Sequence, residues 1–270
     1  MKKYLRNFYK YRYLLYEIVR KNIKLQYRDS FLGILWTFLQ PLLTTIVLVV
    51  VFGNLLGKDS SKVLNYPVYL LCGRLLYDFY SQSTKRAMRS IKNSASVIKK
   101  VYVPKYMYPL ANVLSTFVTF LISLVVLVLF IAYFMIFSPN KPNITPYVFL
   151  AFIPLVILFI LCLGVGLILS TLEIFFKDVE YLYDVFCMLL FYVTPIVYSI
   201  EQLKIKNVWA MRIFMANPLY SIVHMFRDCV LFGQMINIHH LLYALCFSLV
   251  TLAVGITVFA KKQDKFILHI

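Results

Sequence analysis

Residues 30–57, SFLGILWTFLQPLLTTIVLVVVFGNLLG, form a run of 28 positions without a single Asp, Glu, Lys or Arg. About 20 apolar residues in a helix cross the hydrocarbon core of a membrane, so this run is long enough to span one. The rest of the chain resembles it, because 61% of 270 residues are hydrophobic and 14% are charged, whereas a soluble domain carries about 25% charge. The sequence therefore predicts an integral membrane protein.

Further apolar stretches follow the first run and are separated by charged or proline-containing segments. Together with 30–57, the predicted spans are 66–84, 106–137, 147–171, 183–200 and 241–260. Residues 201–238 contain polar interruptions at Asn217-Pro218 and Arg227-Asp228, which suit a re-entrant segment better than a crossing helix. The predicted fold class is an all-α polytopic membrane protein, a single domain over 1–270 with six transmembrane helices and a re-entrant outer segment before the last span.

The distribution of Lys and Arg predicts the orientation, because cytoplasmic loops are enriched in these residues. They number nine in residues 1–28, seven in 85–105 and three in 261–265. These segments, and with them both termini, are predicted to be cytoplasmic. The net charge is +17. The Lys and Arg residues that produce it lie between apolar stretches and not along one basic face, so lipid head groups are more suitable binding partners than nucleic acid.

Residues 10–28 predict an amphipathic helix at the membrane interface. Cations recur on one side at spacings of three and four, while leucine and isoleucine occupy the other. Such a helix places its apolar side in the acyl boundary and its cations at phosphates. It serves either to anchor the chain or to bind the charged head of a lipid. The candidate residues for binding the lipid head are Arg20, Lys24 and Arg28.

The loop 85–105, KRAMRSIKNSASVIKKVYVPK, mixes cations with apolar side chains and has room for a helix of two or three turns. It either only sets the topology or also docks into a groove on a soluble partner. The candidate docking residues are Arg86, Met88, Arg89, Ile91, Val97, Ile98, Lys99 and Lys100. Within the second span, Arg74 and Asp78 are four residues apart and can pair, either as a structural pair or as part of a polar lining.

The sequence offers no catalytic constellation. Residues 53–59, GNLLGKD, have too few positions between the glycines for a phosphate-binding loop. His239 and His240 are adjacent and therefore point to different faces of a helix, unlike a zinc-binding pair at i and i+4. We therefore expect neither a metal site nor an enzyme, and no cofactor bound by this chain.

Several strings appear in the order found in one known family. They are YRDSFLGILW at 27–36, QPL at 40–42, YP at 66–67, Gly73, VPK at 103–105, PL at 109–110, FFKDV at 175–179, TPIVY at 194–198, NPL at 217–219 and FR at 226–227. With this order over nearly the whole length, the chain resembles the permeases of ABC-type polysaccharide exporters, which export O-antigen, capsule and teichoic acid chains. Arg74 and Asp78 depart from the more apolar family pattern.

The resemblance implies a bacterial inner-membrane permease domain that works as a homodimer with two copies of a separate ATPase, which binds ATP and Mg²⁺. It implies a polysaccharide substrate carried on a polyprenyl diphosphate lipid. It also implies that residues 86–103 form the coupling helix, 10–28 a gating interface helix and 201–238 the re-entrant segment.

For such a substrate, aromatic rings suit the C–H faces of sugars. The predicted glycan path contains Phe31, Trp36, Phe186, Phe191 and Tyr192, although aromatic residues also populate lipid-facing surfaces. Two alternatives remain open. One is an ABC exporter of a drug or small lipid. The other is a membrane enzyme acting on lipid-linked sugars, for which the acids at 173–184 have no partner that the sequence identifies.

Overall fold

The computed structural model describes residues 11–28, 30–55, 65–100, 103–137, 142–143, 145–198, 212 and 214–269. Within these ranges the chain is helical and contains no β-strand, which confirms the predicted all-α class. The eight main helices are α1 (Arg12–Gln26), α2 (Trp36–Leu55), α3 (Tyr66–Asn93), α4 (Met107–Phe137), α5 (Phe152–Phe175), α6 (Val179–Val193), α7 (Pro218–Arg227) and α8 (Ile238–Lys262).

Shorter elements extend some of these helices. Short 3-10 helices precede α2 at Gly33–Leu35 and α5 at Pro146–Ala151, and a π-helical turn, Asp228–Phe232, continues α7. Ala95–Ile98 follows α3, and Gln263–Lys265 and Phe266–His269 follow α8.

Within the described ranges, four helical segments are long and apolar enough to cross a membrane: Gly33–Val51, Met107–Phe137, Pro146–Phe175 and Ile238–Lys265. They correspond to the predicted spans 30–57, 106–137, 147–171 and 241–260. The helices α3 and α6 occupy the positions of the other two predicted spans. The helix α3 carries several charges, and α6 has 15 residues, which make a helix about 22 Å long at 1.5 Å per residue. That these two helices cross the membrane therefore stays a prediction.

The helix α5 lies at the centre of the bundle, where it packs against α8 and α3. Glycine allows the α5–α8 pair to approach closely. A Cβ atom on Gly164 would lie 2.6 Å from the backbone nitrogen of Leu252, and one on Gly255 would lie 2.6 Å from the carbonyl oxygen of Gly164. Small residues at a helix contact bring backbones together, which is how membrane helices gain van der Waals contact.

The helix α3 does not end where the second span was expected to end. It runs without a break from Tyr66 to Asn93 over 28 residues, so the helix continues past residue 84 into the predicted loop 85–105, and the membrane boundary of that span stays a prediction. Residues 85–93 contain neither glycine nor proline, and their apolar face, Ala87, Met88 and Ile91, is fully buried. Burial of that face continues the helix beyond the predicted span.

The helix α6 is shifted relative to the predicted span 183–200. It begins at Val179 and ends at Val193, and residues 194–198 form turns. Thr194 is extended, as expected for a residue before proline, and Pro195 has no N–H to continue the helix. Residues 199–200 lie outside the described ranges.

The helix α1 confirms the helical part of the predicted segment 10–28. It packs against α4, and Leu15 is buried in a cluster with Ile91, Met107 and Phe259. At the same end of the bundle, the ammonium of Lys105 donates to the carbonyl of Gln263. Burial lowers the pKa of Lys105, an effect that nearby Asp264 opposes.

Candidate functional site

A stripe of polar side chains follows one face of α3 for most of its length. Its members are spaced three or four residues apart, which places them on one side of a helix. They are Arg74, Asp78, Gln82, Lys85, Arg89 and Lys92. The helix α2 packs against α3 on one flank, and α6 packs against α3 and α5 on the other. We call this stripe, with the walls that α2 and α6 form beside it, the groove.

On the α2 side the groove contains a cavity of about 80 Å³, lined by the end of α1, by α2, by α3 and by α4. Most of its lining side chains can form hydrogen bonds, among them Gln40 and Gln82. The hydroxyls of Tyr27 and Thr37 lie 2.6 Å apart, and Ser123 of α4 donates to the carbonyl of Thr37 at 3.1 Å. These bonds attach the start of α2 to its neighbours.

On the α6 side, two tyrosine hydroxyls attach the helices to each other. Tyr77 of α3 donates to the carbonyl of Cys187 at 2.6 Å, and the hydroxyl of Tyr183 lies 2.7 Å from Oγ1 of Thr84. The guanidinium of Arg74 lies 5.2 Å from the ring centroid of Phe191. The wall of the groove is therefore held in place by polar contacts, while most of the large apolar side chains of α6 remain exposed.

At the far end of α3 the stripe forms three ion pairs, which we call the ladder. Lys85 Nζ lies 2.7 Å from Asp184 Oδ1, and Arg89 Nη2 lies 2.7 Å from Glu180 Oε1. Lys92 Nζ lies 3.1 Å from Glu173 Oε1. Three of the four acids at 173–184, for which the sequence identified no partner, are thus bound to the cations of the predicted coupling loop.

The third pair of the ladder is the most deeply placed. The side chain of Glu173 is 0% exposed, whereas that of Lys92 is 51% exposed, and Oε2 of Glu173 has no hydrogen-bond partner among the described residues. A buried carboxylate is costly unless it is paired. Lys92 therefore stabilises a charge that the fold places in its interior at the end of α5.

A second polar centre lies at the opposite end of α3, around the guanidinium of Arg227. This group donates to the carbonyls of Tyr69, Pro195 and Ile196 at 3.2, 2.7 and 2.9 Å. It also lies 3.5 Å from the ring centroid of Tyr69. The buried charge is thus satisfied by three carbonyl oxygens and one aromatic face, and it connects α7, α3 and the turn after α6.

Other residues of the quoted strings meet at the same centre. Tyr66 donates to the carbonyl of Val197 at 2.9 Å and Tyr69 to that of Tyr198 at 3.2 Å, while the amide of Asn217 donates to Thr194 Oγ1 at 2.9 Å. The strings YP, TPIVY, NPL and FR, far apart in the sequence, therefore build one structural unit. We call it the turn clamp.

The predicted coupling residues separate into three groups: buried, bonded to other helices, and exposed. Met88 and Ile91 are fully buried and Ile98 is 9% exposed, so these three pack inside this chain, and their role in coupling stays a prediction. Arg86 donates to Gln26 of α1 at 2.7 Å and Arg89 belongs to the ladder. The exposed members are Val97, Lys99 and Lys100.

The predicted lipid-binding cations Arg20, Lys24 and Arg28 are exposed, as the amphipathic pattern requires. Of the predicted glycan-path aromatics, Trp36 lines the cavity and Phe191 lies beside Arg74. Phe31 is fully exposed, and Phe186 and Tyr192 are exposed on α6. The structure thus brings Trp36 and Phe191 to the groove, and the roles of all these residues stay predictions.

A bundle of apolar helices with a polar groove along one of them defines an integral membrane protein of the transport type. The chain belongs to the ABC-2 type transporter family, whose model matches residues 13–232. It is 30% identical over 256 residues to the O-antigen export system permease protein RfbA of Klebsiella pneumoniae, covering 94% of this chain and 93% of that protein.

Two further relatives are also named as export or transport proteins. The O-antigen export system permease protein RfbA of Myxococcus xanthus is 26% identical over 261 residues, which are 97% of this chain and 96% of that protein. The polysialic acid transport protein KpsM of Escherichia coli is 21% identical over 244 residues, which are 90% of this chain and 91% of that protein. The family resemblance inferred from the motifs is confirmed.

Proposed function

We propose that this chain is the membrane-spanning permease of an ABC exporter that moves a lipid-linked polysaccharide, such as an O-antigen, capsule or teichoic acid chain, across the bacterial inner membrane. The observation that carries this proposal is the groove, which presents hydroxyl, amide and charged groups along a bundle of otherwise apolar helices. A hydrophilic glycan needs such groups to replace the hydrogen bonds that it makes with water. Likeness to polysaccharide export permeases along most of the chain supports the same conclusion.

The path requires a second copy of the chain. One wall of the groove is α2 and the other is α6, and both expose large apolar side chains, including Ile46 and Val50 on α2 and Val185 and Met188 on α6. In a homodimer these faces would meet across the two grooves and enclose a passage between the copies. Trp36, Phe191, Phe186 and Tyr192 would then offer rings along it, and Phe31 would lie near its entrance.

The energy is supplied by a separate ATPase subunit that binds ATP and Mg²⁺, and this chain acts as a transporter and not as an enzyme. Val97, Lys99 and Lys100 are exposed residues of the predicted coupling segment 86–103 and would contact that partner. The ladder joins the adjoining end of α3 to the start of α6. A push on the coupling segment would therefore move the groove wall.

The interface helix supplies the site for the lipid carrier. Arg20, Lys24 and Arg28 are exposed cations at the end of the bundle that also carries the ladder, and a diphosphate head would pair with them. In the proposed topology this end faces the cytoplasm with both termini, and α3 and α6 complete six spans. The predicted re-entrant outer segment 201–238 includes α7, while its residues 201–211 and 213 lie outside the described ranges.

The groove also weighs against the alternatives. A drug or small lipid with a mainly apolar surface would leave the amides of Gln40 and Gln82 in the groove without hydrogen-bond partners, which is unfavourable. An enzyme acting on lipid-linked sugars would need its acids available for chemistry, whereas Glu173, Glu180 and Asp184 each pair with a cation.

Co-purification with the ATPase encoded beside the gene tests the proposal. We expect a stable complex whose ATP hydrolysis supports glycan export, and we expect Lys99→Ala with Lys100→Ala to reduce the export obtained per ATP hydrolysed. A matched control is Lys261→Ala with Lys265→Ala, which removes two exposed cations outside the coupling segment and should leave export unchanged. Absence of any ATPase partner would overturn the proposal.

A further inference from the structure

We propose that the cavity beside Arg74 and Asp78 is a binding subsite for a single uncharged sugar unit of the exported chain. This inference rests on the proposed function and assigns a ligand to one part of the groove. Its lining includes Tyr27, Trp36 and Gln40 from the end of α1 and from α2, and Arg74, Asp78 and Gln82 from α3.

The ion pair in the cavity keeps much of its hydrogen-bonding capacity. Arg74 Nε donates to Asp78 Oδ2 at 2.9 Å, and the two side chains are 27% and 28% exposed. In the described part of the chain, the two terminal nitrogens of Arg74 and Oδ1 of Asp78 make no further hydrogen bond. Charges inside a membrane bundle are costly and occur where they serve a site or a path.

Two amides add to this capacity. Gln40 of α2 and Gln82 of α3 line the cavity, are exposed and make no side-chain hydrogen bond with any described residue. Each amide provides one acceptor and two donors. The cavity therefore presents a planar guanidinium fork, one free carboxylate oxygen and two amides within a single concave surface.

This set of groups matches the hydroxyls of a sugar. Each hydroxyl donates one hydrogen bond and accepts others, so neighbouring hydroxyls can donate to Asp78 while accepting from Arg74 and the amides. The indole of Trp36, which is 43% exposed, supplies a flat apolar surface for the C–H face of the ring. An apolar ligand would leave the same groups unpaired.

Charge and volume restrict the ligand further. Because Asp78 neutralises Arg74, the pair carries no net charge and does not favour a phosphate or a carboxylated sugar. One water occupies about 10–15 Å³ in the same measure of volume, so a cavity of about 80 Å³ holds on the order of five to eight water-sized groups. A hexose unit has more heavy atoms than this, so the cavity takes up part of one sugar unit, whose remaining atoms would lie in the groove, and not several units.

The experiment uses the purified full-length protein carrying Trp209→Phe, which leaves Trp36 as the one tryptophan, since the chain has two. Trp36 fluorescence is followed while glucose, galactose, mannose or N-acetylglucosamine is added, with inorganic phosphate and glucuronate as charged probes. We expect a saturable change with at least one neutral sugar and none with phosphate or glucuronate.

The matched variant is Arg74→Met with Asp78→Leu, which replaces the pair by apolar side chains. Such replacements are often neutral or stabilising, so the variant should fold, while its affinity for the neutral sugar should fall about tenfold or more through the lost hydrogen bonds. Gln82→Leu removes one amide and should weaken binding to a smaller degree. Ser81→Ala, beside the stripe on the same helix, should bind as the parent protein does.

Three results would overturn the subsite: no saturable response to any neutral sugar, a response to phosphate or glucuronate that depends on Arg74, or a neutral-sugar response that survives in the Arg74→Met, Asp78→Leu variant. Export by the unmodified protein is measured in parallel. If it exports glycan but binds no neutral sugar, the subsite alone is wrong. If it exports no glycan, the proposed function is wrong, whatever the fluorescence shows.

Discussion

Gly73 of α3 and Arg227 of α7 compete for one space, because a Cβ atom on residue 73 would lie 2.4 Å from Nη2 of Arg227. That nitrogen donates to the carbonyl of Ile196, so the missing side chain at 73 makes room for the turn clamp. The glycine of the family string and the arginine 154 positions later in the chain therefore have a joint structural role.

Gly73→Ala should displace the guanidinium and lower the free energy of unfolding by about 2–4 kcal/mol, through overpacking and lost hydrogen bonds. Thermal unfolding in detergent measures the change. The double variant Gly73→Ala with Arg227→Ala removes the steric conflict, so it should be no less stable than Arg227→Ala alone. Additive losses in the two variants would contradict the account.

Arg227→Lys should fail to replace the arginine even though it keeps the charge. A single ammonium cannot reproduce the planar fork that donates to three carbonyls, nor the stacking on the ring of Tyr69. We expect a loss of about 2–3 kcal/mol, seen as a lower unfolding temperature in detergent. Stability equal to that of the parent protein would mean that charge alone is sufficient at this position.

A charge exchange tests the ladder as a link between α3 and α6. Lys85→Glu and Asp184→Lys each place like charges side by side and should lower export about fivefold or more, the usual size of a coupling between two sites, while ATP hydrolysis continues. The double exchange restores opposite charges and should recover export. Export and ATP hydrolysis are measured on the same complex, and failure of the double variant to recover would argue against the link.

Removal of the Lys92 cation should destabilise the protein more than removal of the Glu173 charge. Lys92→Met leaves a fully buried carboxylate without its cation and should destabilise the protein by about 1–3 kcal/mol, a figure reduced for the exposure of Lys92. Glu173→Gln removes the charge and keeps the shape, so it should be less harmful. The unfolding temperatures of the two variants measure which is less stable. A lower unfolding temperature for Glu173→Gln than for Lys92→Met would contradict the burial of the Glu173 carboxylate.

Much of the fold could be predicted from apolar run lengths. The third predicted span, 106–137, is nearly identical to α4, Met107–Phe137, because the run is free of charge and is followed by a segment with two prolines. The end of α3 could not be predicted in this way. Residues 85–93 are rich in cations, yet their opposite face is buried against α4, α5 and α6.

The partners at the candidate site were harder to predict than the helices. Periodicity indicates which residues share a face but not which other helix that face meets, so Lys85 and Asp184, 99 positions apart, gave no signal individually. One signal was available: 85, 89 and 92 are spaced by four and three, and 184, 180 and 173 by four and seven. The set 85, 89 and 92 fits one face of α3 and the pair 180 and 184 fits one face of α6, which is consistent with two antiparallel rows of opposite charge, whereas Glu173 lies on α5.

The location of the glycan in cells that lack this gene tests the central claim most directly. The account predicts that the polysaccharide is still synthesised, stays attached to its lipid carrier on the inner side of the membrane and disappears from the cell surface. The intact gene should restore surface display, and the Lys85→Glu variant should restore it only weakly. Unchanged surface display of every glycan in the deletion strain would contradict the account.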